Sequence, residues 1–365
     1  MTFSRFDHEC MATALRLARR GLYTTDPNPR VGCVIADSEQ VYGYGWHQRA
    51  GAPHAEIEAL RMAGESARGK TAYVTLEPCS HHGRTPPCTE ALLEAGIRRV
   101  VVAGEDPNPE VSGNGISRLT DAGLEVQRGL MSQAADELNP GFLMRMRAGR
   151  PWIRIKSATS LDGRTALNNG DSKWISSEAS RRDVQRWRAR SSAILTGIGT
   201  VLADDPSMNA RISEPVTQPV RVVADSNWRT PADSRILENP GKAFIAGRQD
   251  LPVPEGLASS VASCLPLPSS EGVISLAALM TELAEMELNE VQVEAGAGLC
   301  GALLNARLVD EILVYQAPVL LGSGGAGPFA FGPLESMAQR THLKVLETIQ
   351  IGGDSRFRLK PEFRL

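Results

Sequence analysis

Three residues with zinc-ligand chemistry, His54, Cys79 and Cys88, and one carboxylate, Glu56, constrain the fold of this chain more than any other feature. A single metal can be held by all three only if the segments around residues 54, 79 and 88 converge. A structural zinc closes its tetrahedron with four protein ligands, whereas a catalytic site keeps one position for water. One His and two Cys leave that position open. Glu56 follows His54 by two residues on the same first helical turn, where it can reach the proton of a water at the open position but cannot act as fourth ligand. The competing reading completes a structural zinc with His81, His82 or Cys33 and leaves Glu56 without a role.

A water activated beside a carboxylate in this way is how zinc deaminases exchange an exocyclic amine for oxygen on a nitrogen heterocycle. The usual second half of their pattern is Pro-Cys-x-x-Cys, but here eight residues separate Cys79 from Cys88. The insertion must loop out. His81, Gly83, Arg84, Pro86 and Pro87 are turn and loop formers that would hang over the mouth of the pocket, where selectivity can be set.

At 365 residues the chain is long enough for two domains. A net charge of −3 calls for neither nucleic acid nor an anionic membrane, so a phosphate on a substrate must be met by a few local arginines. Residues 1–9 lack the apolar core of a signal peptide. The uncharged stretch Ile312–Leu334 is crowded with glycine and broken by Pro318, Pro328 and Pro333, unlike a membrane helix. Six cysteines without a disulfide-framework spacing are expected to stay reduced in a cytoplasmic protein.

Periodicity predicts helices over Asp7–Arg20, Glu56–Ala63 and Thr89–Ala95, and strands over Val31–Ile35, Thr71–Leu76 and Val100–Ala103. Such alternation builds a mixed sheet between helix layers, with His54 and Cys88 each opening a helix. Arg145–Pro151 has no periodicity and marks the boundary between domains 1–148 and 149–365. Beyond it, Trp152–Ser157, Ala193–Leu195, Val220–Ala224, Ala243–Ala246, Val291–Glu294 and Glu311–Gln316 read as strands, and Glu178–Arg190 and Ser275–Glu285 as helices. Pro252–Ser270, rich in Pro and Ser, reads as a surface connection. No internal repeat is visible, so the second half does not copy the first.

Gly296, Gly298 and Gly301 match G-x-G-x-x-G between a strand and a helix, a turn that lets backbone approach a pyrophosphate. A Rossmann unit places this turn after its first strand with an acidic residue about 20 positions on; here it follows a late strand and Pro318–Gly322 occupies that place. The Rossmann fold is rejected and a phosphate cradle over Gly296, Ala297, Gly298, Leu299, Cys300, Gly301 and Ala302 is retained beside the alternative of a packing turn. Arg188 and Arg211 flank the loop Thr200–Pro206, which contains Asp204, and two arginines there could hold a phosphate bidentately or be simply solvated. Glu294, at a strand end, could accept from sugar hydroxyls or face solvent. Trp174 reads by itself as a core aromatic.

The motifs Asn28-Pro29-Arg30-Val31-Gly32-Cys33, Gly43-Tyr44-Gly45-Trp46-His47, His54-Ala55-Glu56, Glu77-Pro78-Cys79 through Cys88, and Asp106-Pro107-Asn108-Pro109 together resemble the bifunctional riboflavin-biosynthesis deaminase/reductases, and the likeness runs through nearly the whole chain. The resemblance implies an α/β chain with a cytidine-deaminase-like three-layer first domain and a dihydrofolate-reductase-like second domain. It implies zinc, NADPH and a diaminopyrimidinone substrate carrying a phosphoribosylamino group, gripped in the first domain by Asn28, His47, Arg84, Asp106 and Asn108. In the second domain it assigns Ser172, Arg188, Met208, Arg211 and Glu294 to substrate, and Ala158, Trp174, Thr200, Asp204, Ser226 and the glycine turn to cofactor. Met208-Asn209 departs from the more usual Leu-Thr. Expected partners are this small phosphorylated pyrimidine and further copies of the chain in a homo-oligomer, without nucleic acid or membrane. Rival readings are a deaminase acting on RNA with a C-terminal binding module, and a zinc-stabilised binding protein without catalysis.

Overall fold

The computed structural model describes residues 3–80, 87–108, 112–238, 241–260 and 262–363. It divides into two compact units, Met1–Gly149 and Arg150–Leu365.

The first unit contains helices α1 (Arg5–Ala18), α2 (Ala55–Ala63), α3 (Cys88–Glu94), α4 (Asn114–Asp121), α5 (Ser132–Leu138) and α6 (Pro140–Ala148), and strands β1 (Gly32–Ala36), β2 (Val41–Trp46), β3 (Thr71–Val74), β4 (Arg99–Val102) and β5 (Glu125–Arg128). The sheet runs β2-β1-β3-β4-β5, with β1 antiparallel to both neighbours and β3, β4 and β5 parallel. Every residue of β1 is buried because both of its faces are covered. Cys33 and Ile35 pack with Ala55 and Ala59 of α2, Leu92 of α3 and Leu119 of α4. Val34 and Ala36 pack with Met11 and Ala14 of α1 and Ala135 of α5 on the other side. The outcome is the expected three-layer arrangement. Ser4 starts α1 through a capping box with Asp7.

The glycine-rich strand β2 was not foreseen, because alternate glycines leave one of its faces without the apolar side chains by which a strand is recognised. Its glycines admit α2: a Cβ on Gly43 would stand 2.2 Å from the Ala59 carbonyl oxygen, and one on Gly45 2.5 Å from that of Ala55. That close approach places the first turn of α2 against the sheet.

The second unit contains strands β6 (Trp152–Thr159), β7 (Ala193–Gly197), β8 (Val220–Ala224), β9 (Ala243–Arg248), β10 (Ser263–Leu267), β11 (Ser269–Ser270), β12 (Val273–Ile274), β13 (Glu290–Val293), β14 (Glu311–Gln316), β15 (His342–Ile351) and β16 (Asp354–Glu362). Its helices are α7 (Glu178–Arg190), α8 (Ile198–Asp204), α9 (Arg235–Glu238), α10 (Glu255–Ala258), α11 (Leu276–Glu285) and α12 (Ala297–Asn305). Nine strands form one sheet in the order β10-β9-β8-β7-β13-β6-β14-β16-β15. Pairing is parallel from β10 to β14 and antiparallel through β16 and β15. β11 and β12 form a separate small hairpin.

Two sequence expectations need correction. Pro252–Ser270 is not merely a connection, since it contains α10 and the edge strand β10, where Pro266 is tolerated because an edge leaves one side of the ladder unpaired. The β16–β15 hairpin was also unforeseen: its strands are rich in charge, and a two-residue turn with Gly352 at φ 62° joins them. Buried charges tie this sheet together. Arg154 pairs with Glu290 at 3.0 Å and Glu311 at 2.9 Å, and Arg190 and Arg358 reach the same two carboxylates at 2.9 and 2.7 Å. No helix among the described residues is long and apolar enough to cross a membrane.

Candidate functional site

His54 is the N-cap of α2, Cys88 is the first residue of α3, and Cys79 lies in the segment after β3. The convergence required by the sequence is present. His54 Nδ1 lies 3.2 Å from Cys88 Sγ and 3.6 Å from Cys79 Sγ, and the three ligand atoms all lie within 4.8 Å of one another. Zn–S and Zn–N bonds of about 2.3 and 2.0 Å make tetrahedral edges of about 3.5 Å, so the donor set fits zinc. Cys33 is not in the cluster. His81, His82 and Arg84 lie outside the described residues.

The Cys88 backbone N–H donates to Cys79 Sγ at 3.4 Å. Hydrogen bonding from Cys88 and His54 overcomes burial and brings the Cys79 thiol down to about 4, while its thiolate and burial push Cys88 upward. A thiolate is therefore available at Cys79. Glu56, 3% exposed on the first turn of α2, has its pKa raised chiefly by burial, against the opposing pull of His54. A buried carboxyl with a raised pKa can both take and return a proton.

His47 lies beside His54, the rings edge to face with centroids 5.5 Å apart. Its Nδ1 is 3.2 Å from the Pro53 carbonyl, which can only accept, so the proton sits on Nδ1 and Nε2 accepts from the Asn28 amide at 3.0 Å. Burial lowers the His47 pKa and keeps this neutral tautomer. Asn28 and His47 thus act as one unit next to the His54–Cys79–Cys88 cluster. Asp106 is buried and accepts from the Asn108 backbone N–H at 2.9 Å.

In the second unit, a cavity of about 730 Å³ brings together Ser172, Arg188, Met208, Arg211 and Glu294, all of the residues assigned to substrate there. Ala158, Trp174, Thr200, Asp204, Gly296 and Ala297 also line it. Trp174 is 71% exposed, with the Arg181 guanidinium 4.5 Å from its ring, and is no core aromatic. Asp204 pairs with Lys173 at 2.9 Å. Asp205 and Met208, at φ 40° and 46°, hold left-handed backbone that non-glycine residues rarely adopt, on the loop forming one wall.

The expected two-arginine clamp takes a different form. Arg188 Nε and Nη2 donate to the two carboxylate oxygens of Glu294 at 2.7 and 2.9 Å, and Nη1 donates to the Asn209 carbonyl at 3.1 Å. Burial would raise the Glu294 pKa, but Arg188 prevails and holds it at about 2. Arg211 bonds the Asn209 side chain at 2.7 Å, and partial burial with repulsion from Arg188 and Arg235 lowers its pKa. Lys156 and Arg235, not singled out in the sequence, also line the cavity. Lys156 is the second cation of β6, two residues after Arg154, and its residue type alone did not single it out.

Ser226 does not line this cavity; its hydroxyl accepts from the Ile274 N–H at 3.1 Å. The glycine turn divides in two. Gly296 and Gly298 face open space, whereas a Cβ on Gly301 would stand 1.9 Å from the Ala330 carbonyl oxygen. The Cys300 thiol donates to the Ala295 carbonyl, Leu299 packs near Gly197, and neither they nor Ala302 line the cavity. Gly301 is a packing glycine.

Residues 151–356 match the family described as the RibD C-terminal domain, and residues 4–104 match the cytidine and deoxycytidylate deaminase zinc-binding region. The riboflavin biosynthesis protein RibD of Escherichia coli K12 is 49% identical over 362 residues, which cover 95% of this chain and 97% of that protein. The chain belongs to the RibD family. RibD of Acinetobacter baumannii has 46% identity and a TM-score of 0.92, covering 98% of this chain and 99% of that one. A diaminohydroxyphosphoribosylaminopyrimidine deaminase/5-amino-6-(5-phosphoribosylamino)uracil reductase of Thermotoga maritima has 32% identity and a TM-score of 0.87, covering 97% and 98%. Members of the RibD family join a zinc-dependent deaminase to an NADPH-dependent reductase in riboflavin biosynthesis, and the deaminase-like and dihydrofolate-reductase-like units of this chain are those two parts.

Replacing Cys88 with Ala leaves two of the three donor atoms of this cluster, and bound zinc is expected to fall well below one per chain. Metal analysis of the dialysed protein checks this; undiminished occupancy would show that other residues hold the ion.

Proposed function

We propose that residues 1–148 carry the deamination through Glu56, with His54, Cys79 and Cys88 as zinc ligands, and that residues 149–365 carry the reduction in the cavity around Glu294. The convergence of the three ligand atoms beside the buried Glu56 supports the first assignment most directly. Bound there, zinc would supply Lewis acidity that lowers the pKa of a water molecule toward about 7. Glu56 takes the proton of the attacking water and returns it as the amine leaves, so that water enters and ammonia departs while the ring carbon exchanges nitrogen for oxygen. The Asn28–His47 unit and the Asp106–Asn108 turn orient the base and its sugar, and Arg84 meets the phosphate.

Bound in this cavity, NADPH would supply the hydride which, together with a proton from solvent, converts the ribosyl group to ribityl. Glu294, anionic and gripped by Arg188, accepts from sugar hydroxyls; Ser172, Met208 and Arg211 complete the substrate side. Ala158, Trp174, Thr200 and Asp204 take the cofactor, with Gly296 to Gly298 leaving room for its phosphates. Ser226 and residues Leu299 to Ala302 do not line the cavity and are left out of this assignment. The RNA reading lacks support in a chain with 5% aromatic residues whose relatives match it end to end. A cytosolic location accords with six free cysteines.

The chain is further proposed to form a homo-oligomer through the second unit. Edge strand β15 exposes Leu343, Val345 and Leu346, and Leu320 and Met337 are 72% and 74% exposed. Light scattering at micromolar concentration is expected to give a multiple of 39.3 kDa; a monomer would overturn this.

Glu56→Gln is expected to retain zinc yet lose deamination by at least the ~10²–10⁴-fold typical of a general acid/base. Reduction of already deaminated substrate should persist in the same sample, and loss of both activities in folded protein would refute the two-site assignment. Gly298→Val fills the open space at the turn and is expected to raise the KM for NADPH with little change in Tm. An unchanged KM would place the cofactor phosphates elsewhere.

A further inference from the structure

Glu77 is buried, two residues before the ligand Cys79, and no step above uses it. Its carboxylate accepts three backbone N–H groups: those of Asp106 at 3.2 Å and Gly113 at 3.1 Å on Oε2, and that of Ile116 at 3.0 Å on Oε1. Its own N–H donates to the Gly104 carbonyl at 3.0 Å. Helix α4 begins after Gly113, which has no side chain with which to cap it, and Glu77 does so from a distant segment. The contact is close on the main-chain side as well. A Cβ on Gly115 would stand 2.0 Å from the Pro78 carbonyl oxygen. Residues on both sides of the undescribed stretch 109–111 are therefore tied to the Glu77–Cys79 segment.

We propose that Glu77 is a positioning residue for deamination: it fixes the Asp106–Asn108 turn relative to the zinc-ligand segment, and so sets how the substrate is held without touching it. The proposal rests on the reading of Asp106 and Asn108 as substrate contacts. Three N–H donors on one buried carboxylate cannot all be served by an amide, because the amide nitrogen presents a donor to donors. Glu77→Gln keeps the shape and breaks part of this junction.

In the full-length protein, Glu77→Gln is expected to retain one zinc per chain and full reduction of deaminated substrate. The KM for deamination should rise at least about tenfold, with a smaller fall in kcat. Because Glu77 acts through Asp106, combining Glu77→Gln with Asp106→Ala should raise KM little beyond Asp106→Ala alone. If Glu77→Gln proves insoluble, Gly115→Ala, which presses on the Pro78 carbonyl from the other side, should give the same pattern. An unchanged KM, loss of zinc, or full additivity in the double variant would overturn the proposal. Asp106→Ala with unaltered KM would refute the underlying substrate contact and the proposal with it, whereas an impaired Asp106→Ala beside a wild-type-like Glu77→Gln would sink the role of Glu77 alone.

Discussion

The seating of α2 on the glycine face of β2 is the constraint on which the first site depends. With no side chains at Gly43 and Gly45, the helix backbone approaches the strand until only hydrogen atoms fit between them. Its N-cap His54 is thereby placed beside Cys79 in the segment after β3, with Glu56 on the first turn of the helix. Any bulk in β2 would lift α2 and carry both residues away from Cys79 and Cys88. The opposite face of the sheet is closed by α1 and α5, so the strands cannot yield to relieve the pressure.

Burial does chemical as well as mechanical work here. It raises the pKa of Glu56, keeps His47 neutral and thereby gives the Asn28 amide a defined direction. In the second unit the same desolvation is opposed by a charge: Arg188 bonds Glu294 through two nitrogens, and the carboxylate remains an anion in the cavity wall. That pairing removes one cation from the set available to a phosphate. Arg211 and Arg235, which repel one another, are left nearer the loop that also holds Asp205 and Met208 in left-handed backbone.

Much of both sites was legible in the residue order. Helical spacing predicted α2 and α3 and placed His54 and Cys88 at their starts, and alternation marked β1, β3 and β4 to within a few residues. The two sites differ in how far this reached. Ligand chemistry and spacing pointed to His54, Cys79, Cys88 and Glu56 as a group, whereas Ser172, Arg188, Met208, Arg211 and Glu294 were assembled only by resemblance before the cavity brought them together. Strands β2, β10, β15 and β16 escaped because their glycine, proline or charge is tolerated only in a particular sheet environment.

The sequence by itself brought out three residues with zinc-ligand chemistry and a carboxylate on the same helical turn as one of them, because donor type and helical phase are local properties. It also ruled out a Rossmann unit from the position of the glycine turn. Only the tertiary structure decided that Arg188 belongs to Glu294, that Gly301 packs against Ala330 while Gly298 stays open, that Trp174 is exposed, and that Glu77 joins the Cys79 segment to α4. Each of those outcomes depends on which partner arrives from a distant part of the chain, and hydrogen bonding and close packing are settled only by that arrival.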